Sequence, residues 1–101
     1  MIKVFKMING EDLISESTGC VDGEFTLENP ASIIMQQTEK GMSVALAPYM
    51  PYAHGKVTLY ATAIAAEGDP DEKMKTEYNR IFGSGIEIVP AFALPKSQII
   101  T

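Results

Sequence analysis

Along the first two-thirds of the chain, apolar and polar residues change places every one or two positions, which is the period of a strand and not of a helix. Residues 3–8 read Lys-Val-Phe-Lys-Met-Ile, a half-buried strand, and are followed by Asn9-Gly10. That pair tolerates the positive φ values of a type I′ turn, so the chain is expected to return along residues 13–18. Glycine and aspartate around Cys20 and Val21 signal a second reversal. A long strand is then expected over residues 24–37, opening on Phe25-Thr26-Leu27 and bent at Asn29-Pro30, because proline has no N–H to give to a ladder. A polar turn at residues 38–41 leads to a fourth strand over 42–47. The Pro/Tyr-rich stretch 48–55 is a loop or a distorted continuation of that strand, and residues 57–66 make a fifth.

The period then changes. Asp69 is an N-cap candidate, Pro70 suits the first helical position, and Asp71 and Glu72 are acids placed where unpaired N–H groups make the helix end positive. Met74, Tyr78, Ile81 and Phe82 follow at helical spacing, and Gly83-Ser84-Gly85 stops the run, so an amphipathic helix is predicted over residues 70–82. Residues 86–89 have a strand-like pattern before Pro90 and Pro95, in a tail read as an arm. No internal repeat or low-complexity tract interrupts this order. The expected organisation is one domain, mostly β: a five-stranded strongly bent barrel over residues 1–67, an appended helix over 68–85 and an arm over 86–101.

Composition narrows what such a domain can do. With 101 residues and 46% hydrophobic content there is material for one core and no more. No stretch approaches the roughly 18 apolar residues of a membrane span. The single cysteine, Cys20, has no internal partner, and no signal-like apolar stretch follows Met1; a reducing, cytoplasmic setting is expected, with Cys20 a buried, inert thiol. A formal net charge of −5 opposes general attraction to nucleic acid. Lys3, Lys6, Lys40 and Lys56 are the only lysines of the five-strand region.

Catalytic chemistry finds little to stand on. One histidine and one cysteine supply neither a nucleophile with its base nor a set of metal ligands, and the acids are scattered or accounted for by the helix N-terminus. His54, in a Gly/Pro/Tyr loop, reads as a solvated residue. No enzyme activity and no cofactor is expected.

The chain resembles the Sm-like (LSm) proteins, including their bacterial host-factor branch and phage proteins of similar strand order, over roughly residues 2–66. Asn9-Gly10, Leu13, and then Asp22 with Phe25-Thr26-Leu27 and Asn29 look like the first Sm motif. Two placements exist for the second. Tyr60-Ala61-Thr62-Ala63-Ile64 is similar in spacing to the host-factor Y-K-H-A-I segment, with Ala61 and Thr62 where that branch has Lys and His. Alternatively the loop 48–55 forms the junction of strands four and five; this placement is preferred because it keeps five strands of sensible length, and it sets Tyr49, Tyr52, His54 and Lys56 near a ring pore.

The resemblance implies an Sm-like open barrel that pairs through its edge strands into a homo-oligomeric ring and binds single-stranded nucleic acid, RNA before DNA, in RNA or DNA processing of a bacterial or phage-infected cell. Phe25, Tyr49, Tyr52 and Tyr60 are its stacking candidates, Lys56 its cation, and Thr26 stands where the family has a base-contacting Asn. The bland alternatives are a core role for Phe25 and Tyr60, subunit contacts for the loop tyrosines, and a cross-strand pairing role for Thr26. For the whole chain, the alternative is an assembly protein that uses the same barrel for protein contacts only.

Overall fold

The computed structural model describes residues 1–82. The chain divides into two units, Met1–Asp71 and Glu72–Thr101. The first contains an antiparallel sheet built from β1 (Ile2–Met7), β2 (Asp12–Ser17), β3 (Glu24–Thr38), β4 (Gly41–Pro48), β5 (Val57–Tyr60) and β6 (Ile64–Gly68). Strands run in the order β4-β3-β2-β1-β6, and β5 pairs with the opening residues of β3, beyond the stretch that β4 covers. The expected fifth strand over residues 57–66 is thus two strands, separated by a 3-10 turn at Ala61–Ala63.

That turn makes the sheet curl. Laid flat, β5, β3, β2, β1 and β6 would put four inter-strand spacings, roughly 19 Å, between β5 and β6. A three-residue 3-10 turn advances on the order of 8 Å. The outer margins of the three-strand core must therefore approach each other. The turn holds both: the Ala61 N–H donates to the carbonyl of Gly23 beside β3 at 2.8 Å, and the Ile8 N–H beside β1 donates to the carbonyl of Ala63 at 2.9 Å. Inside the curl the Phe5 and Phe25 rings meet edge to face with centroids 5.2 Å apart, although β2 lies between their strands. Around them pack Met7, Leu13, Leu27 and Leu59, with Tyr49, Val57, Ala61, Ala63 and Ile64 partly buried at the margin. Among the described residues the ladder does not close on itself, since β4, β5 and β6 each keep an unpaired outer edge.

The bend in β3 falls at Asn29-Pro30 as proline chemistry requires. Ile14 pairs with Ala31 and Glu16 with Glu28, so two residues of β3 face one of β2. Asn29 takes φ 54°, a conformation asparagine tolerates better than most residues. The Ser15 hydroxyl, fully buried opposite the bulge, donates to the carbonyl of Glu28 at 3.0 Å and to that of Glu16 at 2.8 Å. The bulge also reverses the alternation: Phe25 and Leu27 point inward before it, whereas Ala31, Ile33 and Met35 share the outer face after it, with Ala31 and its partner Ile14 fully buried there.

The two reversals exchange the roles that the sequence suggests. Asn9 is not among the positive-φ residues; the Gly10 N–H donates to the Met7 carbonyl and Gly10 alone takes φ 95°, the pattern of a three-residue loop with a glycine bulge. The mirror-image two-residue turn is at Asp22-Gly23, with φ 52° and 79° and both Val21–Glu24 backbone bonds made.

In the second unit, α1 (Glu72–Phe82) begins two residues later than expected. Asp69, expected as its cap, accepts from the Lys3 ammonium at 2.9 Å within the first unit. Tyr78 is buried and its ring lies 4.9 Å from that of Phe82 one turn on, while Ile81 on the expected apolar stripe is exposed. The expected strand at 86–89 and the arm lie outside the described residues.

Candidate functional site

The cross-strand register of β3 and β5 decides where the candidate residues stand. Glu24 faces Tyr60, Thr26 faces Thr58 and Leu27 faces Val57. Alternation then puts Tyr60, Thr26 and Thr58 on the outer face, next to Glu28 and Lys56, which approach to 3.7 Å. Thr26, Lys56 and Tyr60 are thereby brought onto one surface, a short ladder of polar and aromatic pairs. Thr26 is fixed by β2: its N–H donates to the Thr18 hydroxyl and its carbonyl accepts from the Thr18 N–H, both at 3.0 Å.

Phe25 does not join that surface. It is buried against Phe5 and Leu59, so neither ring face is open to a base within this chain, and its observed position is that of a core residue. Tyr49 also leans on the core and is half-buried, its N–H donating to the Pro30 carbonyl at 2.8 Å. Tyr52, in the loop between β4 and β5, is 100% exposed, and Tyr60 is 57% exposed. Those two are the exposed aromatic rings among the described residues.

The loop that carries Tyr52 interrupts a single run of partners for β3: β4 pairs with it before the loop and β5 after. The chain leaves the β3 margin at Ala61–Ala63, within the Tyr60-Ala61-Thr62-Ala63-Ile64 segment. The loop expected over residues 48–55 joins β4 to β5, while Tyr60-Ala61-Thr62-Ala63-Ile64 carries the turn from β5 to the sixth strand.

Electrostatics bear on what such a surface can hold. Lys3 pairs with Asp69, Lys6 with Asp12 at 2.7 Å and Lys56 with Glu28, so three of the four lysines of the sheet already have carboxylate partners. The Asp69 hydrogen bond raises Lys3 above the usual lysine range, keeping it charged but engaged. Lys40, at the tip of the β3–β4 hairpin, is outside these pairs. Cys20 is exposed, contrary to the buried thiol expected of it. His54 is exposed too and makes no ion pair among the described residues. Nor do three His, Cys, Asp or Glu side chains converge among them, and no helix there is long and apolar enough to cross a membrane.

Glu24, Thr58 and Thr18 belong to the same surface although sequence reasoning passes over them. Only the pairing of β3 with β5 reveals them, and alternation within either strand alone does not specify its partner. Compared with protein-family models and with curated proteins, the sequence matches none.

Proposed function

We propose that this chain is an Sm-like module that assembles into a homo-oligomeric ring and holds single-stranded nucleic acid, RNA first, without catalysing a reaction on it. The observation that carries the reading is the curled sheet with free edges on unlike strands, β4 and β6 among them. A six-stranded sheet whose margins are joined by the Ala61–Ala63 turn, yet whose β4 and β6 edges stay unpaired, agrees with an open barrel that adds head to tail. Pairing of one copy's β4 with the next copy's β6 satisfies those two edges and leaves the outer side of β5 unpaired.

On such a ring, Tyr52 and Tyr60 supply the stacking faces, Thr26 a hydroxyl and Lys56 a cation that must be shared with Glu28. Binding then depends on stacking, worth about 1–3 kcal/mol per base, more than on phosphate contacts. Its setting is the cytoplasm of a bacterial or phage-infected cell, in RNA or DNA processing. A second reading, an assembly module with protein contacts only, is favoured by one specific observation: the sheet's lysines are mostly committed to carboxylates.

Light scattering with a labelled-oligonucleotide titration at 50 and 200 mM salt separates the readings. The proposal expects an oligomer whose affinity falls less than about tenfold between the two salts, because few phosphates are contacted, and drops further with Tyr52→Ala or Tyr60→Ala. Oligomers that bind no oligonucleotide would leave only the assembly reading; a monomer at micromolar concentration would remove the ring.

A further inference from the structure

β3 outruns its neighbour. The pairing with β2 ends at Ser32, while the pairing with β4 continues to Thr38 and Gly41, so residues 33–46 project as a two-stranded ribbon with no third strand on either side among the described residues. A hairpin of two strands is marginal in water unless something covers it. Its outer face carries the pairs Ile33/Leu46, Met35/Val44 and Gln37/Met42, of which Met35 is 58% and Met42 59% exposed. The opposite face carries Ser32/Ala47, Ile34/Ala45 and Gln36/Ser43, in which Ile34, 41% exposed, is the one large apolar side chain.

Exposed edges are ordinarily protected by charge or proline. This ribbon has neither from residue 31 to 37 or from 42 to 47, in a chain of net charge −5. Two copies repel over most of their surface, and here they do not. At the tip Lys40, next to Glu39, lies outside the sheet's ion pairs, and at the root Glu28 stands on the outer face, where a second cation would share it with Lys56.

We propose that the outer face of this ribbon packs on the same face of a second copy, the two ribbons antiparallel, with Met35 and Val44 at the centre and each Lys40 near the partner's Glu28. An antiparallel arrangement is self-complementary, since one patch serves both copies. The contact is distinct from edge pairing, so in a ring it joins two rings face to face. The inference thus rests on the ring reading only for the final size of the particle.

The test is native mass spectrometry of the full chain as wild type, Met35→Lys, Val44→Lys and, as the control on the opposite face, Gln36→Lys, with circular dichroism to confirm folding. The expected result is a wild-type particle with an even number of copies, halved by either outer-face lysine and unchanged by Gln36→Lys; Lys40→Glu weakens the pairing without abolishing it. A ring whose mass Met35→Lys and Val44→Lys leave unchanged overturns this inference and spares the ring. A plain dimer split to monomers by Met35→Lys upholds it and removes the ring. Equal masses with Met35 and Met42 protected from dilute peroxide would overturn it in favour of residues 83–101 as the cover.

Discussion

Gly23 shows how a single backbone angle sets the geometry around the candidate ladder. With φ 79° as the second residue of the tight turn before β3, it holds a conformation that costs an L side chain about 1–2 kcal/mol, yet a Cβ there would meet nothing within 4 Å. Gly23→Ala is therefore expected to destabilise by that conformational cost alone, and urea denaturation reads it; D-alanine at the same position should restore the loss. The Asp-Gly dipeptide was as visible in the sequence as Asn9-Gly10, and the two were weighted the wrong way round. What separates them is whether two or three residues lie between paired positions, a property of the register that neither dipeptide encodes. Phe25 and Tyr60 differ for a related reason. Both fit strand alternation, and the pairing of β3 with β5 then sends one ring into the core and leaves the other half in water.

Among the elements, the long bent β3 was legible because proline and asparagine carry their own backbone restrictions. The division of the fifth strand at Ala61–Ala63 was not: Ala-Thr-Ala has no glycine or proline to mark it, and the break arises because the chain must cross from the β3 margin to the β1 margin. The helix was legible in its stripe and starts at Glu72, two residues past the expected Pro70. Within α1, Glu77 and Arg80 are paired, and the Arg80 hydrogen bond lowers the Glu77 carboxyl below the usual glutamate range. A folded pKa below the unfolded one stabilises above the unfolded value, and that support is lost as pH falls through the folded value. Helicity of the wild type should thus fall in acid more than that of Glu77→Gln, by an amount worth a few tenths of a kcal/mol for a partly solvated pair. Circular dichroism between pH 6 and pH 2 measures the difference.

For the whole molecule, the decisive contacts are two backbone hydrogen bonds at the ends of one 3-10 turn. Ala61→Pro suits the first position of such a turn but removes the N–H that holds Gly23, leaving the Ile8–Ala63 bond in place. It should cost about 1 kcal/mol and raise hydrogen exchange selectively at the margins of β3 and β5, measured by mass spectrometry. That selectivity distinguishes loss of the curl from general loosening, which would raise exchange in the β1–β2 hairpin equally.

The same junction governs when this protein can fold. Because β1, made first, finds its outer partner only in Ile64–Gly68, a growing chain keeps Phe5 and Met7 without their closing strand until residue 68 has emerged. By then the ribbon at 33–46, charged only at its Glu39-Lys40 tip, has already been synthesised. Rate of synthesis and local copy number, more than final stability, will decide whether that ribbon meets a finished copy or another unfinished one.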